Sequence, residues 1–215
     1  MESTRILAIR HGETAWNVDT RIQGHLDIPL NDAGRLQARR LARALAGRDA
    51  IDAIYSSDLS RALQTAQAVA DATGAPLVAT PALRERCFGV FEGRTFAEIR
   101  AAWPEEAERW RVRDPDWAPP GGGESLLRFK ERITNTACGL AAENIGKHIA
   151  LFVHGGVLDI LYRAATGLGL QDARTWQLGN AAINRLLWAP EGAFSLVGWA
   201  DTTHLEDASL DESAA

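Results

Sequence analysis

The sequence predicts an α/β protein, a three-layer α/β/α sandwich built around a mainly parallel central sheet. Two observations support this fold class. Three short apolar runs, at 4–9, 51–55 and 148–153, have the length of buried strands. Segments of helical periodicity separate these runs, so that strand and helix alternate along most of the chain. A chain of 215 residues suits one sizeable core, and we expect a single domain over residues 1–201.

The order of elements follows from the apolar periodicity and from the residues that start and stop helices. The expected strands cover residues 4–9, 51–55, 77–79, 148–153, 184–188 and 194–199. The expected helices cover residues 32–46, 61–73, 96–110 with an interruption at Pro104, 124–144 and 157–166. Asn31 is expected to cap the first helix, while Gly47 and Gly74 are expected to end the first two. Residues 114–123 hold three prolines and three glycines and predict a loop. The acidic segment 202–215 predicts a flexible tail.

Composition excludes several classes of partner. The net charge of −5 disfavours general binding to nucleic acid or to an anionic membrane. No apolar run approaches the ~20 residues that cross a bilayer, and the N-terminus lacks the features of a signal peptide. Cys87 and Cys138 stand outside any metal-binding spacing, which is typical of reduced thiols in a cytoplasmic protein. We therefore expect a small ligand and a cytoplasmic location, and the sequence leaves a homodimer open.

Arginine, histidine and glycine residues follow three of the predicted strands. Arg10 and His11 end the first strand, Arg61 follows the second, and His154 with Gly155 ends the strand over 148–153. Ligands of open α/β sheets bind at the carboxyl ends of the strands. We therefore expect these side chains to meet at one edge of the sheet.

A phosphate group is the ligand that fits this set best. The planar fork of arginine matches phosphate oxygens, and a glycine after each histidine lets backbone N–H groups approach an anion. Two histidines can divide the work, one neutral and nucleophilic and the other donating a proton or hydrogen bond. Hydrolysis of a phosphate monoester needs ~20 kcal/mol or more of catalysis. Positioning supplies ~7–11 kcal/mol and each preorganised donor ~3–4 kcal/mol, so several groups must act together.

Five segments, taken in order, resemble the histidine phosphatase superfamily, which includes the cofactor-dependent phosphoglycerate mutases and their phosphatase relatives. They are RHGETAWN at 10–17, SSDLSRALQTA at 56–66, LRERCFGVFEG at 83–93, GGES at 122–125 and VHGG at 153–156. The resemblance extends from about residue 5 to residue 200, and it implies a phosphoglycerate mutase-like fold.

The resemblance also implies a role for each matching residue. His11 corresponds to the nucleophile that becomes phosphorylated, and Glu85 to the proton donor that later activates water. The phosphate pocket corresponds to Arg10, Arg61 and His154, with Asn17 as a further phosphate contact and Gln23, Gly24 and Gly155 as substrate-binding positions. Members of this family work without a metal ion, so that no metal and no cofactor is expected.

Other ionisable residues are expected to be structural or uninvolved. Glu92 belongs to the FEG element, where the family pattern favours structure. Glu13 and Glu124 are expected to be structural hydrogen-bonding groups, and His25, His148 and His204 lack the glycines that follow the other two histidines. Trp103 and Trp110 are candidates for lining a lid over the pocket.

Three functions compete on the sequence alone. In a mutase, a longer insertion after the proton donor holds phosphoglycerate and shields the phosphohistidine from water. Here Glu124 lies only 39 positions after Glu85, and the GVFEG and GGGES elements resemble the phosphatase branch, including α-ribazole phosphatase and broad-specificity phosphatases. We therefore predict a phosphatase acting on a small phosphorylated substrate, with a phosphoglycerate mutase as the alternative. A third alternative is a phospho-ligand binding protein without catalysis, but such a protein would lack either the nucleophile or the donor.

Overall fold

The fold is built on one six-stranded sheet, and the computed structural model describes residues 2–48 and 50–206. The strands are β1 (Thr4–Arg10), β2 (Ala53–Ser57), β3 (Leu77–Thr80), β4 (His148–Val153), β5 (Ile183–Trp188) and β6 (Phe194–Asp201). Their order across the sheet is β3-β2-β4-β1-β5-β6. The first four are parallel, whereas β5 runs antiparallel to β1 and forms an antiparallel pair with β6. The predicted fold class, with its mainly parallel sheet, is confirmed.

Helices cover both faces of the sheet. They are α1 (Ala15–Val18), α2 (Asp32–Arg48), α3 (Ser60–Thr73), α4 (Phe96–Ala102), α5 (Pro104–Arg111), α6 (Leu126–Ala142) and α7 (Gly155–Thr166). Asn31 accepts a hydrogen bond from the Gly34 backbone N–H at 2.8 Å, as an N-cap does. Gly74 ends α3 with φ of +73°, as predicted. The expectation for Gly47 was wrong, because α2 continues through it to Arg48 and it lacks a positive φ.

The alternation of side chains along β1 divides the core between the two faces. Ile6 and Ala8 point into a cluster with α6 and α7, while Leu7 and Ile9 point into a cluster with α2 and α3. All six residues of β4 are buried, because helices cover this central strand on both sides. The carboxyl ends of β1 and β4 are thereby held in fixed register at the middle of the sheet.

A third apolar cluster lies beneath α4 and α5. Phe91 stands at its centre, with its ring centroid 5.6 Å from that of Trp103 and 5.9 Å from that of Trp110. Pro104 begins α5 directly after Trp103, which confirms the predicted interruption, because proline is tolerated in the first turn of a helix. The two candidate lid tryptophans therefore anchor this segment to Phe91.

The C-terminal part of the chain is described as far as residue 206. Thr203–Leu205 form a short 3-10 helix, and the Leu205 carbonyl accepts a hydrogen bond from Arg40 Nη1 at 2.7 Å. The rest of the predicted tail, 207–215, lies outside the described residues. Within the part of the chain that the structure describes, no helix is both long and apolar enough to cross a membrane.

Candidate active site

The two histidines predicted to form the site lie side by side. Arg10 pairs with Val153 in the parallel ladder of β1 and β4, so that the next residue of each strand emerges at the same edge. The ring centroids of His11 and His154 are 5.3 Å apart, with the rings inclined at 59°. Both side chains are buried, with exposed fractions of 3% and 0%. The predicted convergence of the strand ends is therefore present in the structure.

His11 is held as a neutral ring with one free nitrogen. Its Nδ1 lies 2.7 Å from the carbonyl oxygen of Gly12. A carbonyl only accepts hydrogen bonds, so Nδ1 carries the proton and Nε2 keeps its lone pair. Burial is the largest cause that lowers the pKa of His11 well below 6.5, and the charges of Arg10 and Arg61 lower it further. At neutral pH the ring is thus uncharged and has a free lone pair on Nε2.

Arg61 fixes the opposite tautomer in His154. Its Nε donates to His154 Nδ1 at 3.3 Å, while its two other nitrogens donate to the carbonyls of Gly24 and Leu26 at 2.8 and 2.9 Å. Because His154 Nδ1 accepts, the neutral ring carries its proton on Nε2. That nitrogen is buried and has no hydrogen-bond partner among the described residues. Burial and the charge of Arg61 lower the pKa of His154 well below 6.5.

Arg10 supplies a second partnerless donor. One of its terminal nitrogens, Nη1, donates to the Leu178 carbonyl, whereas its buried Nε finds no partner in the described part of the chain. Gly155 lies against this guanidinium, and a Cβ added there would stand 3.6 Å from Nε. A buried donor without an acceptor costs about 1–3 kcal/mol, which an oxyanion at this position would offset. Helix α7 begins at Gly155, so that its N-terminus lies beside the same guanidinium.

Glu85 is anchored at the start of α7. One carboxylate oxygen, Oε2, accepts from the Gly156 backbone N–H at 2.9 Å, and Oε1 accepts from the Arg86 N–H at 2.8 Å. Its backbone carbonyl receives hydrogen bonds from His25 Nε2 at 2.8 Å and from Arg132 Nη2 at 3.2 Å. These four contacts fix both the loop and the carboxylate beside the phosphate pocket.

The remaining predicted substrate positions differ in their contacts. The Oδ1 atom of Asn17 accepts from the Thr14 N–H and hydroxyl at 3.0 and 3.1 Å in the capping box of α1. Gly24 has φ of +51°, and a Cβ there would lie 2.1 Å from Glu92 Oε1. Gln23 is buried with its Oε1 unpaired within the described ranges. Their contacts with substrate stay predictions.

The other carboxylates expected to be structural are all engaged. Glu92 Oε1 accepts from the backbone N–H groups of His25 and Phe88, each at 2.9 Å. Glu13 accepts from Asn31 at 2.8 Å, and Glu124 forms an ion pair with Arg132 at 2.8 Å. Among residues 2–48 and 50–206, no group of three or more His, Cys, Asp or Glu side chains is placed to hold a metal ion.

Sequence reasoning missed one wall of the site. A cleft of about 520 Å³ opens beside Arg10 and Gly155, and its far side is formed by the segment between α7 and β5. The residues of that side are Arg174, Trp176, Gln177, Leu178 and Gly179. This segment has no helical or strand periodicity and no glycine motif, so its sequence gave no signal that it reaches the strand ends.

The fold and the site together define an α/β protein in which two buried histidines and two arginines meet at the carboxyl ends of the central strands, an arrangement that suits a phosphate group. The family model of the histidine phosphatase superfamily (branch 1) matches residues 6–202. The chain belongs to this superfamily, as the resemblance predicted. It is a phosphoric monoester hydrolase.

Three relatives illustrate this membership. Phosphoglycerate mutase-like protein 4 of Arabidopsis thaliana is 36% identical over 214 residues, covering 99% of this chain and 92% of the relative. The metal-independent phosphoserine phosphatase of the same plant is 33% identical over 205 residues, covering 95% and 84%. The solved structure of a mycobacterial glucosyl-3-phosphoglycerate phosphatase superposes with a TM-score of 0.82 at 31% identity, covering 93% of this chain and 100% of that one.

Proposed function

We propose that the protein hydrolyses small phosphorylated metabolites in two steps through a phosphohistidine on His11, without a metal ion. The observation that carries this proposal is the state of the two rings. His11 Nε2 has a free lone pair, while the Nε2 hydrogen of His154 and the Nε hydrogen of Arg10 lack partners in the described structure. One nucleophile and two donors thus face the space where a phosphate group fits.

In the first step, His11 Nε2 forms a bond to phosphorus while the ester P–O bond breaks. The leaving oxygen takes a proton from the Glu85 carboxyl group. Each carboxyl oxygen has two lone-pair sites, so Glu85 can carry this proton while it keeps its hydrogen bonds to Gly156 and Arg86. Arg10 and His154 donate hydrogen bonds to the phosphoryl oxygens, and the charge of Arg61 lies behind them.

In the second step, the Glu85 carboxylate removes a proton from water, whose oxygen attacks the phosphorus. The P–N bond to His11 breaks, its electron pair returns to Nε2, and inorganic phosphate leaves. The cleft beside Arg10 and Gly155 gives water a path to the intermediate. Hydrolysis is in line with two of the three relatives above, which are phosphatases by name, while the third is named phosphoglycerate mutase-like. Phosphoserine and glucosyl-3-phosphoglycerate are accordingly the first substrates to assay. The proposal places the protein in the cytoplasm and requires neither nucleic acid nor a membrane as a partner.

The test is turnover of p-nitrophenyl phosphate in EDTA by the wild-type chain and by His11→Ala, with His204→Ala as a matched histidine outside the pocket. We expect metal-free turnover that is lost only in His11→Ala, and a phosphoenzyme that is stable to base and labile to acid. Wild-type turnover that EDTA abolishes, or full activity of His11→Ala, would contradict the proposal. Interconversion of 3-phosphoglycerate and 2-phosphoglycerate that outpaces phosphate release, with catalytic 2,3-bisphosphoglycerate, would favour the mutase.

A further inference from the structure

Arg174 is the outermost cation of the cleft that adjoins the phosphate pocket. It lies on the segment between α7 and β5 and shares this cleft with Arg10 and Gly155. Its charge contributes to lowering the pKa values of both Arg10 and Arg113, so that it lies within electrostatic range of the pocket. Because Arg10 and Gly155 line this cleft as well, an organic group attached to a phosphate held by Arg10 has access to the space that Arg174 borders.

Arg174 has no ion-pair partner among the described residues. Its side chain makes no hydrogen bond and no ion pair with any residue of 2–48 or 50–206. Its neighbours differ in this respect. Arg113 and Arg163 both contact the carboxylate of Asp159, at 2.6 and 3.0 Å. The positive charge of Arg174 is therefore available to a ligand.

The segment that carries Arg174 is fixed in place. Trp176 is 8% exposed and stacks on Tyr162, with ring centroids 4.1 Å apart, while the Arg163 guanidinium lies 4.8 Å from the centre of its ring. One residue on, the Gln177 carbonyl accepts from Trp199 Nε1 at 2.8 Å. Arg10 binds the Leu178 carbonyl, which ties the segment directly to the phosphate pocket. The backbone that carries Arg174 is therefore already placed, so that binding an anion has to order only the Arg174 side chain.

We propose that Arg174 binds a second anionic group of the substrate, so that the preferred substrates are phosphomonoesters that carry a carboxylate a few bonds from the phosphate. The planar guanidinium suits a carboxylate because it can make two parallel hydrogen bonds to it. This inference rests on the proposed function, since it requires the phosphate to occupy the pocket of His11. It deepens that function by naming the chemical class of substrate.

The test compares substrates that differ only in the carboxylate. O-phosphoserine is paired with O-phosphoethanolamine, and 3-phosphoglycerate with glycerol 3-phosphate. For the wild-type chain we expect kcat/KM to be about tenfold higher for the substrate of each pair that carries the carboxylate, which is the effect of one charged hydrogen bond. Arg174→Gln should remove this preference through KM, while Arg174→Lys should restore part of it. Arg43→Gln removes an exposed arginine of α2 and serves as the control.

Added salt should reduce the wild-type preference, because Arg174 is exposed and its charge is screened. The inference is overturned if wild type shows no carboxylate preference, or if Arg174→Gln lowers kcat/KM equally for both members of each pair. Activity with p-nitrophenyl phosphate separates the two proposals. Its absence in the wild-type chain refutes the proposed function, whereas its presence without a carboxylate preference refutes the inference alone.

Discussion

Substitution of Gly156 by alanine tests the placement of Glu85 without removing either catalytic side chain. A Cβ at residue 156 would stand 2.2 Å from Glu85 Oε1 and 3.1 Å from Phe129 Cε1. To reach an ordinary contact of 3.4 Å, the carboxylate oxygen must retreat by 1.2 Å. The carboxylate is the end of a flexible side chain, so it can move where a backbone atom could not.

The displacement should harm catalysis more than folding. A misplacement of about 1 Å can cost ~100-fold in rate, and general acid catalysis contributes ~100- to 10,000-fold in all. We expect Gly156→Ala to lower kcat about 100-fold with an alkyl phosphate. The loss with p-nitrophenyl phosphate should be smaller, because its leaving group needs little protonation. The free energy of unfolding should stay within about 1 kcal/mol of wild type, since alanine in place of a helical glycine contributes about 0.5–1 kcal/mol.

Gly139→Ala is the matched control, because Gly139 lies within α6 and a Cβ there meets nothing within 4 Å. It should leave kinetics unchanged. If Gly156→Ala acts through Glu85, adding it to Glu85→Gln should cause little further loss. Wild-type kcat on alkyl phosphates in a folded Gly156→Ala protein would refute the assigned position of the proton donor.

Two further predictions follow from the buried cations and rings. Burial lowers the pKa values of His11 and His154, so below about pH 6.5 the unfolded chain takes up protons that the folded chain does not. The free energy of unfolding should therefore fall as pH falls, by up to about 1.4 kcal/mol per pH unit for each ring. Urea unfolding between about pH 7 and pH 5 gives the change of the free energy of unfolding with pH. This change should be smaller for His11→Asn than for the wild type, and an equal change would count against a neutral buried ring. A lysine at residue 61 cannot make the hydrogen bonds to Gly24, Leu26 and His154 at the same time, so Arg61→Lys should lower kcat/KM about 100-fold. The exposed Arg43→Lys is the control and should leave kcat/KM unchanged. Wild-type kcat/KM in Arg61→Lys would show that the planar guanidinium of Arg61 is dispensable.

The sheet and the two histidines were predictable because their signals are local. A short apolar run predicts a buried strand, and parallel strands of one sheet bring their carboxyl ends to the same edge whatever sequence lies between them. The start of α2 was equally local, since Asn31 directly precedes the helix and accepts from the N–H of Gly34, three residues along the chain. The end of α2 was not, because Gly47 can either continue a helix or end it. The four-residue helix α1 was missed, since its capping box supports only one turn.

The groups that position the site depend on distant contacts. Arg132 donates to the carbonyls of Ala82, Arg84 and Glu85, which lie 47 to 50 residues away along the chain. Nothing in the helical pattern around Arg132 distinguishes it from a solvated surface arginine. The same holds for Arg174, whose segment is held at the cleft by contacts such as the stacking of Trp176 on Tyr162. The residues at the strand ends could thus be predicted from the sequence, whereas the residues that hold them in position were found only in the folded structure.

The aromatic cluster around Phe91 has a consequence for how such enzymes diversify. It contains Ile99, Ala107 and Trp117 as well, and it is separate from the two clusters that flank the sheet. Residues on the outward faces of α4 and α5 can therefore change without disturbing the packing that aligns the phosphate-binding rings. The outer surface of this segment can accordingly change while the rings of His11 and His154 keep their alignment.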